Sequence, residues 1–186
     1  MMTKIINLIG GPGVGKSTIA SGLFSELKQR KVSCEYVSEY AKEVTWEQTH
    51  KLLENQIHVF SEQFRRQYRL LGQVDYVITD SPLLLNTVYF NYYLEKNQGK
   101  DWFNPKYQEL CRNFFNQTFN QFDNLNYFIT RNKEYDKRGR NQDYAEALGI
   151  DYKIWEALRD IKYQFLDDSE KENINKILGD LNVRSI

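Results

Sequence analysis

The sequence predicts a three-layer α/β fold, a parallel five-stranded sheet with helices on both faces and a small lid, within a single domain spanning 1–186. Three observations predict it. Short β-branched apolar runs alternate with amphipathic helical segments, the pattern of right-handed crossovers in a parallel sheet. The first run ends at a glycine-rich turn that opens a helix. The length of 186 residues, with 41% hydrophobic and 27% charged, suits one packed core. Lys plus Arg (25) cancel Asp plus Glu (25), which argues against wrapping along a nucleic-acid backbone by bulk charge and leaves room for a local basic patch. No run approaches the roughly 18 apolar residues of a membrane span, and the start MMTKIINLIGG lacks the apolar region of a signal peptide. The expected location is the cytoplasm, with no membrane partner. Cys34 and Cys111 stand far apart without a Cys/His cluster, so buried thiols are expected rather than a disulfide or a zinc site.

Thr3 to Ile9 is a β-branched run that stops at glycine, as a central parallel strand does. Lys16 to Arg30 follows with Ile19, Ala20, Leu23, Phe24 and Leu27 at helical spacing and basic residues at its C-terminal end. Val32 to Val37 reads as the second strand, which leaves Ser38-Glu39-Tyr40 at the carboxyl edge of the sheet. Leu52, Leu53, Ile57, Phe60, Phe64 and Tyr68 predict one long helix over Trp46 to Leu71. Val74 to Asp80 is the third strand, and Pro82 fits the start of the next helix. Residues 83 to 122 read as mostly helical with a break from Gly99 to Pro105. Tyr127 to Thr130 and Tyr163 to Leu166 supply the last two strands, and Glu170 to Leu181 a final helix.

Gly10-Gly11-Pro12-Gly13-Val14-Gly15-Lys16-Ser17 matches G-x-x-x-x-G-K-[ST] in full, between a strand and a helix. Glycines let backbone N–H groups approach a phosphate at the helix N-terminus, so Gly11, Gly13, Val14 and Gly15 are expected to cradle it. Lys16 supplies a point charge for the β- and γ-phosphates, Ser17 a hydroxyl for Mg²⁺, and Thr18 a contact to the α-phosphate. Asp80, at the end of the third strand, is the candidate for the metal sphere; it also suits a cap for the helix at Pro82. Glu39 could accept the proton of an acceptor hydroxyl, or stand as a solvated charge at a helix start.

The stretch 131–143 concentrates Arg131, Lys133, Lys137, Arg138 and Arg140 around Gly139. Arginine is a planar, permanent cation suited to a transferring phosphoryl group, and a mobile segment can deliver it when both substrates are bound. A lid over about 131–145 is expected, with Arg131 toward the nucleotide and Arg138 and Arg140 toward the transferred charge; a solvated basic run is the other reading. His50 and His58 read as surface or capped histidines. Tyr89, Phe90, Tyr92, Tyr93, Trp102 and Phe103 read mainly as core, with stacking of a few rings on a base as the other reading.

The chain resembles the P-loop kinases with their three-layer P-loop NTPase fold, and among them the NadR-like ATPase/kinase family named for a nicotinamide riboside kinase domain. The resemblance rests on Gly10 to Thr18, Ser38-Glu39-Tyr40-Ala41-Lys42-Glu43, Thr79-Asp80-Ser81-Pro82 and Arg138-Gly139-Arg140-Asn141-Gln142. It implies ATP and Mg²⁺ as cofactors and γ-phosphate transfer to a hydroxyl of a nucleoside or nucleotide-like acceptor. Lys16 and Ser17 would hold triphosphate and metal, Asp80 would lie in the metal sphere, Glu39 would orient or deprotonate the acceptor, and the lid arginines would stabilise transferred charge. Stand-alone chains of this kind occur in bacteriophages, which makes a polynucleotide or hydroxymethylated DNA base an alternative acceptor. A nucleotide-dependent regulatory switch is the alternative of another class. The acceptor and the oligomeric state stay open at this point.

Overall fold

The apolar runs become strands in the order the sequence places them. In a computed structural model describing residues 2–97, 104–132, 134–136, 138 and 141–183, these are β1 (Lys4–Ile9), β2 (Cys34–Val37), β3 (Tyr76–Thr79), β4 (Asp123–Ile129) and β5 (Gln164–Leu166). They form one sheet in the order β2-β3-β1-β4-β5, and the pairings among the described residues are parallel. β1 lies at the centre, with Ile6 in register with Ile78 on one side and Leu125 on the other. Such sheets place ligands at the carboxyl ends of their strands.

The helices are α1 (Lys16–Gln29), α2 (Tyr40–Trp46), α3 (Gln56–Tyr68), α4 (Leu84–Lys96), α5 (Pro105–Asn120), α6 (Tyr144–Ala157) and α7 (Glu170–Asp180), with a 3-10 turn at His50–Glu54. Side chains alternate across a strand, so β1 serves two cores. Ile6 and Leu8 pack with Ile19, Leu23 and Leu27 of α1 and Ile177 of α7. On the other face Ile9 and Phe128 join Phe60, Phe115 and Ile154 of α3, α5 and α6. Cys34 and Cys111 are both free and buried. Among the described residues no helix is long and apolar enough to cross a membrane.

The structure departs from the sequence expectation most in three places. The single helix expected over Trp46 to Leu71 is three pieces, because Gln48 adopts a left-handed φ of 58° and ends the run. Asn55 then restarts it, its side chain accepting the His58 backbone N–H at 3.1 Å. β4 begins at Asp123, four residues before the expected Tyr127. Asn124 and Asn126 break its apolar pattern, yet both accept hydrogen bonds from the buried Asn7 amide, at 2.8 and 3.0 Å. The sequence reading placed no helix between the lid and the last strand, where α6 stands. Its first turn begins at Tyr144, inside the expected lid, with a capping box between Asp143 and Glu146. α4 ends at Lys96 and α5 starts at Pro105; most of the break expected from Gly99 to Pro105, with Trp102 and Phe103, lies outside the described residues.

α6 is tied to α4 by Glu146, which accepts from Lys96 Nζ at 2.7 Å and from the Tyr92 hydroxyl at 2.8 Å. The Lys96 hydrogen bond, aided by the Asp143 backbone N–H and Tyr92 against a smaller cost of burial, brings the Glu146 carboxyl down to about 2 from 4.5. A carboxyl depressed in the folded state stabilises when ionised, and that contribution disappears as pH falls through the folded value. The thermal midpoint of the wild type is therefore expected to exceed that of Glu146→Gln above pH 4.5 and to converge with it as pH falls toward about 2. A midpoint difference that does not change with pH would show that this carboxylate does not stabilise the fold through its charge.

Candidate active site

The turn after β1 closes on α1 through Gly15, whose φ of 99° puts the N-cap in the left-handed region that glycine adopts without a Cβ clash. No acidic residue occupies the first turn of α1, so its N-terminal end keeps its favourable potential for an anion. Lys16 turns back over this loop and donates to the carbonyl oxygens of Gly10 and Gly11, both at 2.8 Å. Burial pushes its ammonium below the ordinary lysine value, opposed by the charges of Glu39, Asp80 and Asp151. A phosphate beside it would act in the same direction as those carboxylates.

Ser17 and Asp80 meet directly. The Ser17 hydroxyl donates to Asp80 Oδ2 at 2.6 Å, and the Tyr36 hydroxyl, from β2, donates to the same oxygen at 2.8 Å. Burial, then the Asp80 charge, holds the Tyr36 phenol well above its ordinary range, so it stays a donor. Asp80 is 1% exposed, and its Oδ1 is buried without a hydrogen-bond partner. A hard cation takes oxygen ligands of this kind. The orphaned carboxylate oxygen and the neighbouring serine hydroxyl thus fit Mg²⁺. Tyr36→Phe removes one of the two donors that orient the carboxylate; the Mg²⁺ concentration that half-saturates ATP binding is expected to rise about 10-fold. An unchanged midpoint in a Mg²⁺ titration would show that Ser17 alone suffices.

Glu39 is the N-cap of α2 and is half-buried. The chain on either side of it is held by Gln63, a residue 1% exposed on α3. Gln63 Oε1 accepts from the Tyr40 N–H at 3.1 Å, while its amide nitrogen reaches the Ser38 carbonyl at 3.4 Å and the Thr79 hydroxyl at 3.5 Å. One turn further along α3, the Gln67 amide donates to the Ser81 carbonyl at 3.4 Å. The same helix therefore contacts the neighbours of both Glu39 and Asp80. Tyr40 is fixed by His58, whose Nε2 lies 2.8 Å from its hydroxyl, and by Arg66, which stacks 5.0 Å from its ring and pairs with Glu43 through two 2.6 Å contacts. His58 has a ring partner after all, but a structural one.

A cleft of about 280 Å³ brings these elements together, lined by Lys16, Ser17, Thr18, Glu39, Asn86 and Tyr89 among others. Gly13, Gly15 and Arg138 also reach it. Val14 contributes only backbone to the loop, its side chain being 2% exposed in the core. Arg138 is an exposed side chain at the cleft, paired with Asp136 at 2.8 Å. Arg140 lies outside the described residues, as do Lys133, Lys137 and Gly139. Arg131 lies beneath the loop, bonded to Asp151 Oδ2 at 2.6 Å and to the Pro12 carbonyl at 2.8 Å. A larger cavity of about 1350 Å³, lined by Asn91, Arg112, Asn116 and Lys153 among others, holds none of the candidate residues.

Sequence reasoning missed Tyr36, Gln63 and Asp151. Gln63 left a trace, a polar residue within the apolar stripe of Phe60 and Phe64. Tyr36 and Asp151 left none, since their partners lie 44, 20 and 140 positions away.

Residues 5–175 match the model of the AAA_28 family, an AAA domain. The comparison with curated proteins gave no match. Among solved structures, deoxyadenosine kinase from M. mycoides with bound dATP superposes with a TM-score of 0.65 at 17% identity, over 98% of this chain and 100% of that one. NadR in complex with NR gives 0.71 at 17% identity over 100% of this chain, which spans 53% of NadR. Thymidylate kinase from Candida albicans gives 0.60 at 16% identity, over 97% and 92% of the two chains. At such identities the likeness concerns the fold, which is the three-layer α/β fold these kinases share. The family match covers most of the sequence and includes the phosphate-binding loop, Glu39, Asp80 and Arg131, so the chain belongs to the AAA_28 family of AAA domains.

Proposed function

We propose that the protein is an ATP- and Mg²⁺-dependent phosphotransferase that moves the γ-phosphate of ATP to a hydroxyl of a nucleoside or nucleotide-like acceptor. The observation that carries this reading is one cleft in which Lys16 and Ser17, backed by Asp80, share the walls with a carboxylate, Glu39, supplied by a different strand end. A nucleotide switch needs the first group only. The solved neighbours carry names of kinases for a deoxynucleoside and a nucleotide and, for NadR, a complex with NR, which supports the acceptor class.

In this reading the acceptor oxygen attacks the γ-phosphorus as Glu39 takes its proton. The bond from that phosphorus to the bridging oxygen breaks, and its electron pair stays on the departing ADP. Lys16 exchanges the carbonyls of Gly10 and Gly11 for phosphate oxygens, and the N–H groups at the start of α1 hold the leaving β-phosphate. Ser17 and Asp80 would hold Mg²⁺, whose charge would offset that of the phosphates. Arg138, which lines the cleft, would add a cation.

The test is ATP turnover with Mg²⁺ across nucleosides, nucleoside monophosphates, nicotinamide riboside and DNA carrying hydroxymethylated bases, with product mass as the readout. A mass gain of one phosphoryl group on a nucleoside or nucleotide supports the reading. Phosphorylation of the DNA alone moves the acceptor to nucleic acid, and ATP binding without any phosphorylated product overturns the transferase in favour of a switch.

A further inference from the structure

Arg131, Asp151, Gly11 and Pro12 form a closed ring that joins three separate parts of the chain. Asp151 lies within α6, Arg131 just beyond β4, and the two loop residues just beyond β1. Asp151 Oδ1 accepts the Gly11 N–H at 2.9 Å, Oδ2 accepts Arg131 Nε at 2.6 Å, and Arg131 Nη2 donates to the Pro12 carbonyl at 2.8 Å. The side chains of Arg131 and Asp151 are 9% and 21% exposed. A Cβ at position 11 would come to 2.0 Å from Asp151 Oδ1 and 3.2 Å from Arg131 Nη2. The glycine at 11 therefore makes room for the carboxylate, and its N–H is spent on that carboxylate.

The guanidinium also lies against the aromatic side chain of Tyr135, 5.7 Å from its centroid, and one of its donors has no acceptor. Nε and Nη2 are consumed by the ring, whereas Nη1 is buried without a hydrogen-bond partner. Nη1 lies 3.5 Å from where a Cβ would stand on Gly13, a residue of the cleft wall. A buried cationic donor with no acceptor calls for one from a ligand, and beside a phosphate-binding turn that acceptor is an anionic oxygen. We infer that Asp151 is a positioning residue for nucleotide: it orients Arg131 against the loop so that Nη1 is presented to a phosphate oxygen. This rests on the nucleotide-binding reading of the loop given above.

A rival account makes the Asp151 carboxylate a surrogate phosphate that ATP must displace. The two differ in sign. In Asp151→Asn the amide nitrogen or the lost charge disrupts the Arg131 contact while size is kept. Calorimetric affinity for Mg·ATP is measured on the full chain for wild type, Asp151→Asn, Arg131→Ala and the double variant, together with acceptor KM where turnover is found. Positioning predicts that Asp151→Asn binds ATP about 10-fold more weakly, that acceptor KM stays within about twofold, and that the double variant is no weaker than Arg131→Ala, because residues acting through one another are not additive. Tighter or unchanged ATP binding in Asp151→Asn overturns the inference, as do additive losses in the double variant. Should Asp151→Asn melt before it can be assayed, Arg131→Lys keeps the charge and loses the fork; wild-type affinity there overturns the inference equally. If the wild type binds ATP but phosphorylates no acceptor, the transferase reading falls while these affinities still decide the role of Asp151.

Discussion

Lys16→Ala is expected to lower phosphoryl transfer at least about 10³-fold, since a charged group aimed at developing phosphate charge carries one of the largest single contributions to such reactions. The physical basis lies in its burial. Lys16 is 9% exposed and its ammonium donates to two loop carbonyls in buried contacts, so the charge sits where water screens least. Alanine would also leave those carbonyls without their donor, at about 1–3 kcal/mol each if they stay dry. Lys16→Met keeps the stem, and the comparison separates loss of charge from loss of packing: equal rates in the two variants with a folded Met protein assign the effect to the charge. A second measurement bears on the same group. Burial holds the Lys16 proton below its ordinary value, and a bound triphosphate raises it again. ATP affinity is therefore strongest while Lys16 is already protonated and weakens as pH rises through its lowered value. That alkaline loss is expected to be absent from Lys16→Met. Wild-type turnover in either variant would remove the loop from the chemistry.

Glu39→Gln is expected to lower kcat by about 10²–10⁴-fold, the range contributed by a positioned general base, with ATP affinity within about twofold. The selectivity of the effect follows from the fold. Glu39 leaves β2, whereas the loop follows β1, and the backbone on either side of Glu39 is held by Gln63 of α3. Removing its charge should leave the Ser17 to Asp80 contact in place. If kcat persists, Glu39 is a helix-capping acid and Asp80 becomes the group to test for proton transfer.

The strands and the phosphate-binding loop were legible because their signals are local. An apolar run that stops at glycine needs no knowledge of its partners, and G-x-x-x-x-G-K-S binds phosphate through its own backbone and the helix it opens. Asp80 and Glu39 were legible for a related reason: both stand at strand ends, and parallel strands bring those ends to one rim. The helices were read less well where polar residues serve the interior. Asn124 and Asn126 fall before the strand expected from Tyr127, yet they lie in that strand, bonded to Asn7. The helix expected through Gln48 fails because one residue in a left-handed conformation redirects the chain, and side-chain periodicity does not register that.

By itself, then, the sequence determined an α/β sheet, a glycine-rich turn at its centre that opens a helix, and two acids at its rim. Only the tertiary structure decided what surrounds them. It set Tyr36 on Asp80, Gln63 across the two sides of Glu39, and Asp151 against Gly11 and Arg131. Each of these is a polar contact between elements distant in the chain, fixed by how helices pack on the sheet, and such contacts have no period and no neighbouring residue to announce them.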